Sequence, residues 1–174
     1  MNTFIPTLTL MGQVKTLLTA LQLSPGVALF DKVEVYSTPD LVKARRELLL
    51  FDNRLCLIIP SGNDYENKFA GKEVQTEVKR EFVLLLTDRD FSKRKNAALG
   101  SGSDTPGVVK MNDLVEAALL GQNLGQSPVM LRMHPLNSEA FQLVGESEEQ
   151  STGRAAWQMT WQCSGGRMVV TEKS

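Results

Sequence analysis

The stretch VQTEVKREFVLLLTD, residues 74–88, changes character halfway along and does most to define the fold. One face runs from Val74 through Val78 and Phe82 to Leu86, whereas the other face is polar up to Glu81 and apolar afterwards. Alternation with period two is typical of a strand with one buried face, and a continuous apolar run is typical of a strand buried on both. The pattern therefore predicts one long strand that begins at a solvated rim and ends in the middle of a sheet.

The residues before this strand predict its partner in a hairpin. LCLII (55–59) is apolar on both faces and is interpreted as a central strand, after which PSGND (60–64) is predicted to turn the chain. NKFAGKE (67–73) then pairs with the long strand in a hairpin that turns near Gly71. Because the long strand rises about 3.3 Å per residue, the hairpin is expected to project past the body. A projecting, half-polar ribbon either contacts a partner surface or stays exposed.

Two helices are predicted in the first third of the chain. Apolar residues recur at helical spacing over 7–22, and this helix is expected to end at 24–26, where proline cannot continue it. After a short strand at 33–36, Thr38 is a suitable N-cap for a second helix over 39–50, with proline at its first position.

A third helix is predicted after residue 105. Thr105 is expected to be its N-cap and Pro106 its first residue, and the helix should end near Gly121. Its buried stripe is expected to comprise Met111, Leu114, Val115 and Ala118.

Residues 87–107 form a long polar connection between the long strand and the third helix. They begin with basic residues and end in Gly and Ser, with little apolar surface to order them. Loops of this length in a compact domain are usually functional or disordered. We expect residues 89–104 to be mobile in the free protein and to order against a neighbouring subunit or partner.

The C-terminal third predicts an antiparallel meander. Its strands are expected at 129–133, 140–146 and 154–163, separated by turn-rich pieces. In the last strand, core residues alternate with a neutral polar face; the core residues are Trp157, Met159, Trp161 and Cys163. Residues 1–165 are therefore predicted to form a single α+β domain, with a mixed or antiparallel sheet packed against about three helices and a flexible tail over 166–174.

The composition is that of an ordinary globular domain. The 174 residues are 42% apolar and 22% charged, outside the disordered and membrane classes. The 19 Lys and Arg against 20 Asp and Glu give no overall field towards nucleic acid or an anionic membrane. The sequence has no run of about 18 apolar residues and no signal-peptide pattern at its start. Cys56 and Cys163 lie in separate strand-like runs and are predicted to be buried thiols in a reducing compartment.

No catalytic, cofactor-binding or metal-binding residue is predicted. The only histidine, His134, has no nearby cysteine or acid cluster with which to hold zinc, and no nucleophile elbow is present. Gly71-Lys72 lacks the opening glycine of a phosphate-binding loop, because Glu66 stands there. GSGSDTPG (100–107) has Thr105 at the third position of the dinucleotide fingerprint.

Two weaker signals have an ordinary structural explanation beside the functional one. Asp88 and Asp90 could hold a divalent ion at a strand end, although a polar strand terminus accounts for them more simply. The basic runs KARR (43–46) and SKRKN (92–96) could meet phosphates, although such runs are more often solvated surface.

The order of elements resembles that of the tail-terminator, or tail-completion, proteins of long-tailed bacteriophages. The resemblance rests on the N-terminal helix, REFVLLLTD (80–88), the polar insertion after it, GVVKMNDLVEAALLGQNL (107–124) and AAWQMTWQC (155–163). It implies a minor tail protein that forms a ring, usually of six copies, at the head-proximal end of the tail tube. Such a ring stops tube polymerisation and presents a docking surface to the head-side connector.

The resemblance also implies the partners and the location. The partners are further copies of this chain, the tail tube protein and a head-completion or connector protein, with no cofactor and no membrane. Genomic DNA passes through the lumen without specific binding, which the neutral Gln and Thr face of the last strand suits. The implied location is the tail or neck of the virion, after assembly in the cytoplasm of the host bacterium.

A ring requires a patch that meets a different patch on the next copy. Candidate interaction residues are the basic side chains of the second helix, the hairpin and the polar loop: Lys43, Arg45, Arg46, Lys68, Lys72, Lys79, Arg89, Lys93, Arg94 and Lys95. Three alternatives stay open: another phage neck or head-completion protein, a small nucleic-acid-binding module using the basic runs, and a metal-dependent enzyme using Asp88 and Asp90.

Overall fold

The structure is an α+β fold built on one large mixed sheet. It is a computed structural model that describes residues 6–36, 43–44, 54–70, 73–89, 94–100, 106–122, 124, 132–141 and 154–171. The helices in these residues are α1 (Thr7–Thr19), α2 (Arg94–Leu99) and α3 (Val108–Leu119). The strands are β1 (Gln22–Ser24), β2 (Val27–Ala28), β3 (Lys32–Val35), β4 (Leu55–Ala70), β5 (Glu73–Arg89), β6 (Arg132–Ala140) and β7 (Arg154–Thr171). The predicted fold class is confirmed.

The large sheet has the strand order β3-β4-β5-β7-β6, with the long strand β5 in its centre. β3 runs parallel to β4, and the other neighbouring pairs are antiparallel, so the sheet is mixed. The hairpin between β4 and β5 is as predicted, since Ala70 lies opposite Glu73. β1 and β2 form a small separate hairpin, which turns at Gly26 with a φ of 80°.

Helices α1 and α3 cover one face of the sheet. Their buried residues pack on strand residues that include Phe82, Leu84 and Trp161. The helical part of this core consists of Leu10, Met11, Val14, Leu18, Val108, Met111, Val115 and Leu119. The stripe predicted for the third helix is confirmed at Met111 and Val115, which are buried, while Leu114 packs partly against the same core.

The opposite face of the sheet carries a second, smaller core. Leu55, Leu57, Ile59, Val83 and Leu85 are buried there, together with Ala156 and the helical residue Ala44. The two cores together explain why residues 55–59 of β4 and the second half of β5 are apolar on both faces. Of the helix predicted over 39–50, the described residues include only Lys43 and Ala44, both with helical backbone.

The predicted turn at 60–64 is wrong, because β4 continues through it to Ala70. The register shifts between Pro60 and Gly62, so the sheet accommodates this segment as a bulge. A bulge tolerates proline, whose missing N–H would interrupt a regular ladder. The first helix also ends earlier than predicted, at Thr19, and residues 22–24 are strand β1.

The polar connection after β5 contains secondary structure that the sequence analysis did not predict. Residues 94–99 form α2, in which Ala97 is buried, and RKNAAL consists mostly of good helix formers. The expectation of a continuous loop is therefore wrong for 94–99, while the expected mobility in the free protein stays a prediction; residues 90–93 and 101–105 lie outside the described part. The N-cap of α3 is Gly107 and not Thr105.

The C-terminal region forms two described strands, β6 and β7, with boundaries that differ from those predicted. β6 runs continuously over 132–140, with a bulge between Pro135 and Asn137, where turn residues had been expected. Most of the predicted 140–146 strand lies outside the described residues. The boundary predicted at 165 is wrong, because β7 continues to Thr171 and pairs with β5 along the way.

The register of β7 predicts which of its residues carry the stability. Trp161 is buried in the helix-covered core, while its neighbour Thr160 points to the other face and is half-buried. Trp161→Ala is expected to lower the free energy of unfolding by about 3–5 kcal/mol because it removes a large buried aromatic. Thr160→Ala should change it by less than about 0.5 kcal/mol. Denaturant titration measures both, and a larger loss for Thr160→Ala would invert the register.

Gly107 provides a second test of packing, where α2 ends against the start of α3. It has a φ of 79°, and a Cβ there would meet the backbone nitrogen of Gly100 and backbone atoms of Leu99 and Ala98 at 2.6 and 2.7 Å. Gly121 is a matched control, because its φ is 72° and a Cβ there has nothing within 4 Å. Gly121→Ala should cost about 1 kcal/mol for the backbone conformation alone.

Gly107→Ala is expected to cost a further 1–3 kcal/mol or so, because backbone atoms must move to make room. Thermal and denaturant unfolding of the two variants measures the difference. Equal losses would show that α2 does not pack against the start of α3.

Candidate functional site

The most distinctive feature outside the two cores is a three-stranded arm. We define it as residues 61–70 of β4, 73–81 of β5 and 164–171 of β7, which lie beyond the bulge at Pro60. Residues 61–69 of β4 are all exposed. The sequence analysis expected a two-stranded ribbon, and β7 adds the third strand by pairing with β5 as far as Thr171 opposite Glu73.

One face of the arm continues the helix-covered face of the sheet and carries two exposed aromatic residues. Tyr65 lies opposite Val78, and Phe69 lies opposite Val74. The exposed fractions of Tyr65 and Phe69 are 59% and 78%, whereas Val78 at the base of the arm is 1% exposed. Between the two aromatic residues, the Thr76 hydroxyl donates a hydrogen bond of 2.9 Å to Oδ1 of Asn67. This face therefore exposes two aromatic side chains to solvent, with a hydrogen bond between β4 and β5 lying between them.

The other face of the arm carries alternating charges. Lys79 Nζ lies 3.4 Å from Glu66 Oε2, and Lys68 Nζ lies 3.7 Å from Glu77 Oε2 and 3.9 Å from Glu66 Oε1. These pairs are largely exposed, and pairs of this kind contribute little to stability. These ion pairs instead affect what the arm can bind, because each described lysine of the arm is close to at least one carboxylate.

A row of polar side chains crosses three strands at the base of the arm, on the same face as these charges. Gln162 Nε2 donates to Glu81 Oε1 over 3.1 Å, and Gln162 Oε1 lies 3.1 Å from His134 Nε2. His134 thus has a side-chain partner on the neighbouring strand β7. At the base of the arm, the strands β5, β7 and β6 are therefore joined by side-chain contacts as well as by backbone pairing.

A buried arginine lies at the base of the arm. Arg80 is 1% exposed and lies opposite Cys163 in β7. Burial lowers the pKa of Arg80, which the charge environment of Cys163 and Tyr65 partly offsets. Burial also raises the pKa of Cys163 to about 12 and the pKa of Cys56 still further above its ordinary value. Both thiols are therefore buried and unreactive at neutral pH, and the prediction of free buried cysteines is confirmed.

The opposite end of β5 holds a cluster of charged residues with a structural role. Arg54 donates through Nε and Nη2 to the Asp31 carboxylate at 3.2 and 2.9 Å, which ties the starts of β3 and β4 together. Asp88 is 2% exposed, and its Oδ2 accepts a 2.8 Å hydrogen bond from the Gly107 N–H at the start of α3. The Arg89 N–H donates to its Oδ1 at 2.8 Å. Asp88 therefore caps α3 from a distant strand, and Asp90 lies outside the described residues.

The structure separates the predicted basic residues into two groups. Lys68 and Lys79 share the charged face of the arm, joined through Glu66. Arg89 lies at the other end of β5, ten residues from Lys79, or about 33 Å along the strand. It is half-buried and lies opposite Arg154 of β7. The predicted residues therefore do not form one basic patch.

The remaining predicted residues are only partly described. Lys43 is exposed on a helical backbone, and Arg94 and Lys95 are the first two residues of α2, on the Arg89 side of the molecule. Four of the predicted residues lie outside the described part of the chain: Arg45, Arg46, Lys72 and Lys93.

The exposed aromatics Tyr65 and Phe69 were not predicted from the sequence. A signal for them was present, because NDYENKF (63–69) alternates Tyr65, Asn67 and Phe69 with charged residues. The turn-like composition of PSGND concealed it. The long-range contacts of Asp88 and Arg54 had no signal, since their partners are 19 and 23 residues away in the chain.

Among the described residues, no group of three or more His, Cys, Asp or Glu side chains is placed to hold a metal ion. The described helices include none that is long and apolar enough to cross a membrane. In comparisons with known proteins, no protein-family model matches the chain, and no curated protein matches it significantly.

The contacts of Asp88 predict a pH effect on stability. Burial raises the pKa of this carboxyl, although the hydrogen bonds from Gly107 and Arg89 lower it. A raised pKa means that the folded state binds the proton more tightly than the unfolded state. The resulting stabilisation is present below the unfolded pKa of about 4 and is lost as the pH rises through the folded pKa.

Asp88→Asn removes the ionisation but keeps an oxygen that can accept the Gly107 hydrogen bond. We expect its free energy of unfolding to depend less on pH between about pH 4 and pH 7 than that of the parent. Its amide has one oxygen, so it keeps only one of the two hydrogen bonds that the Asp88 carboxylate accepts from Gly107 and Arg89. Asp88→Ala also loses the cap and should be less stable than Asp88→Asn by about 1 kcal/mol. Urea titrations at several pH values measure these differences, and equal losses in both variants at neutral pH would contradict the assignment.

Proposed function

We propose that this protein is a structural virion protein of the bacteriophage tail-terminator type. In this role it forms a ring, of six copies as the resemblance implies, at the head-proximal end of a tail tube. The ring stops tube polymerisation and offers the head-side connector a docking surface. The proposal is based on the order of elements in the sequence together with the shape and chemistry of the arm.

The observation that carries the proposal is the two-faced arm. An exposed ribbon with Tyr65 and Phe69 on one face and paired charges on the other has the composition of a contact surface, in which aromatic anchors supply most of the binding energy. The two cores below it hold the ribbon in place through β5 and β7. A projecting element of this kind supports assembly with other protein subunits.

The charges of the arm also agree with a ring that DNA traverses. Apart from the buried Arg80, its described charged side chains are mainly acidic: Asp64, Glu66, Glu77 and Glu81 against Lys68 and Lys79. Binding to nucleic acid draws its affinity from unneutralised Lys and Arg. The two described lysines of the arm are close to carboxylates, and this favours the ring over the nucleic-acid-binding module.

The test compares two exposed apolar residues with similar exposure. Phe69 is 78% exposed on the arm, and Leu8 is 74% exposed on α1. We expect the parent protein to sediment as a monomer at low concentration and as rings at high concentration, and to shorten tubes grown from its cognate tail tube protein in negative-stain images. Phe69→Ser should raise the concentration needed for both effects at least about tenfold, equivalent to about 1.4 kcal/mol.

Leu8→Ser is the control and should leave both effects unchanged, while the melting temperatures of the two variants stay close to that of the parent. A tight dimer at every concentration, or tubes of unaltered length in the presence of rings, would refute the proposal. Equal effects of Phe69→Ser and Leu8→Ser would show that the arm is not part of the proposed contact surface.

A further inference from the structure

We propose that Asn137 in β6 is a site of spontaneous deamidation, at which the backbone nitrogen of Ser138 converts the asparagine into aspartate or isoaspartate without an enzyme. The inference does not depend on the proposed ring. It is carried by one short contact within β6 and by the exposure of the residues around that contact.

The contact brings the two reacting groups together. The Ser138 N–H donates a hydrogen bond of 2.8 Å to Oδ1 of Asn137. Because Cγ is one C=O bond, about 1.2 Å, from Oδ1, the Ser138 nitrogen lies within about 4 Å of the carbon that it would attack. Reacting atoms about 3–3.5 Å apart are in a near-attack arrangement. The Asn137 amide is therefore folded back over the next peptide bond, as closure of a five-membered ring requires.

The Ser138 nitrogen is not engaged in the ladder between β6 and β7. The Phe141 N–H donates to the Ala156 carbonyl of β7. In an antiparallel pair the direction of the N–H groups alternates along the strand, so the Ser138 N–H points away from β7. The register also shifts between Pro135 and Asn137, just before the site. Attack by Ser138 therefore requires no hydrogen bond between the two strands to break.

The surroundings of the site admit water. Residues 136–140 are all exposed, so water can accept the proton of the attacking nitrogen and later open the ring. The residue after the asparagine is a serine, whose small side chain crowds the attacking nitrogen less than a branched one does.

Asn67 in β4 is a matched comparison within the same chain. It is exposed and lies in a strand, as Asn137 does. Its Oδ1, however, accepts a 2.9 Å hydrogen bond from the Thr76 hydroxyl of β5, and the longer side chain of Lys68 follows it. The Asn67 amide is therefore directed to the neighbouring strand and not to its own following peptide bond.

The reaction balances with water alone. The bond from the Ser138 nitrogen to Cγ of Asn137 forms as the bond from Cγ to Nδ2 breaks. The nitrogen loses its proton to water, and Nδ2 takes up a proton and leaves as ammonia. Water then adds to one of the two carbonyls of the cyclic imide. Opening at Cγ gives aspartate, and opening at the main-chain carbonyl gives isoaspartate.

Isoaspartate at this position alters a contact between three elements. The Ser138 hydroxyl accepts a 2.7 Å hydrogen bond from Nε1 of Trp157 in β7 and donates one of 2.8 Å to Oδ1 of Asn112 in α3. An isoaspartate adds a methylene group to the backbone just before Ser138 and displaces this hydroxyl. Formation of aspartate changes the charge and leaves the backbone as it was.

Peptide mapping by mass spectrometry tests the site. The intact protein is incubated at mildly alkaline pH, and deamidation at Asn137 and Asn67 is followed beside synthetic peptides of the same local sequences. We expect Asn137 to react at least as fast in the folded protein as in its peptide. Asn67 should react at least about tenfold more slowly in the folded protein than in its peptide, because a misplaced attacking atom costs that much or more.

Two variants separate the chemistry from the fold. Ser138→Thr keeps the hydroxyl but adds a methyl group beside the attacking nitrogen, and it should slow deamidation at Asn137. Asn137→Gln keeps the amide but would need a six-membered ring, and it should show no comparable reaction at this position. Folded-state slowing at Asn137 as large as at Asn67, or an unchanged rate in Ser138→Thr, would overturn the inference.

The effect on the fold has its own measurement. Chromatography separates aged protein that contains isoaspartate, and its melting temperature is compared with that of Asn137→Asp. The isoaspartate form should melt at the lower temperature, because only this form displaces the Ser138 hydroxyl. Equal melting temperatures would overturn the proposed effect on the contact with α3.

Discussion

The pairing of β5 on both sides is the constraint on which the rest of the structure depends. β4 follows it from Glu73 to Thr87 and β7 from Glu73 to Arg89, so its backbone groups have partners along the whole strand. The two halves of β5 therefore lie in different environments. Its second half is buried under apolar layers on both faces, and its first half extends from the body as the middle strand of the arm. The arm keeps a defined direction because its central strand continues into the core.

The charged residues at the far end of β5 connect that strand to the helix layer. Asp88 accepts the Gly107 N–H at the start of α3, and the chain approaches so closely there that a side chain on Gly107 would collide with the end of α2. The carboxylates that the sequence offered as a metal site thus act, in the case of Asp88, as a cap for a helix. The acceptor is buried in this case, and burial raises the pKa of the Asp88 carboxyl.

The function proposed for the protein depends on surfaces and not on a reactive centre. The arm joins a face with exposed aromatics and a face of paired charges in one element. The proposed role requires contacts with different neighbours, and the arm offers two faces of different chemistry for them. A subunit that must hold identical copies and two different partners needs several separate surfaces of this kind.

The sequence by itself determined the fold class, the hairpin that joins β4 to β5, the alternation of β7 and the buried thiols. These features depend on periodicity and on local turn chemistry, which are properties of neighbouring residues. It also indicated the buried stripe of α3, because Met111 and Val115 recur at helical spacing. It did not determine where strands stop: the segments at 60–64, 134–139 and 166–171 have turn-like or loose composition and are nevertheless strands.

Tertiary structure decided that those segments are strands, because each lies beside a long partner strand whose backbone groups it satisfies. Bulges near Pro60 and Pro135 accommodate the two prolines. It also decided the candidate site. Basic residues suggested interaction surfaces in the sequence, but their meaning changed once Lys68 and Lys79 were placed beside Glu66. The contact of Asp88 with Gly107 joins residues that are far apart in the chain. The ends of β4 and β7 are also far apart in the chain, yet Ala70 and Thr171 both lie opposite Glu73. Local sequence patterns carry no information on such contacts, since they exist only after the sheet has formed.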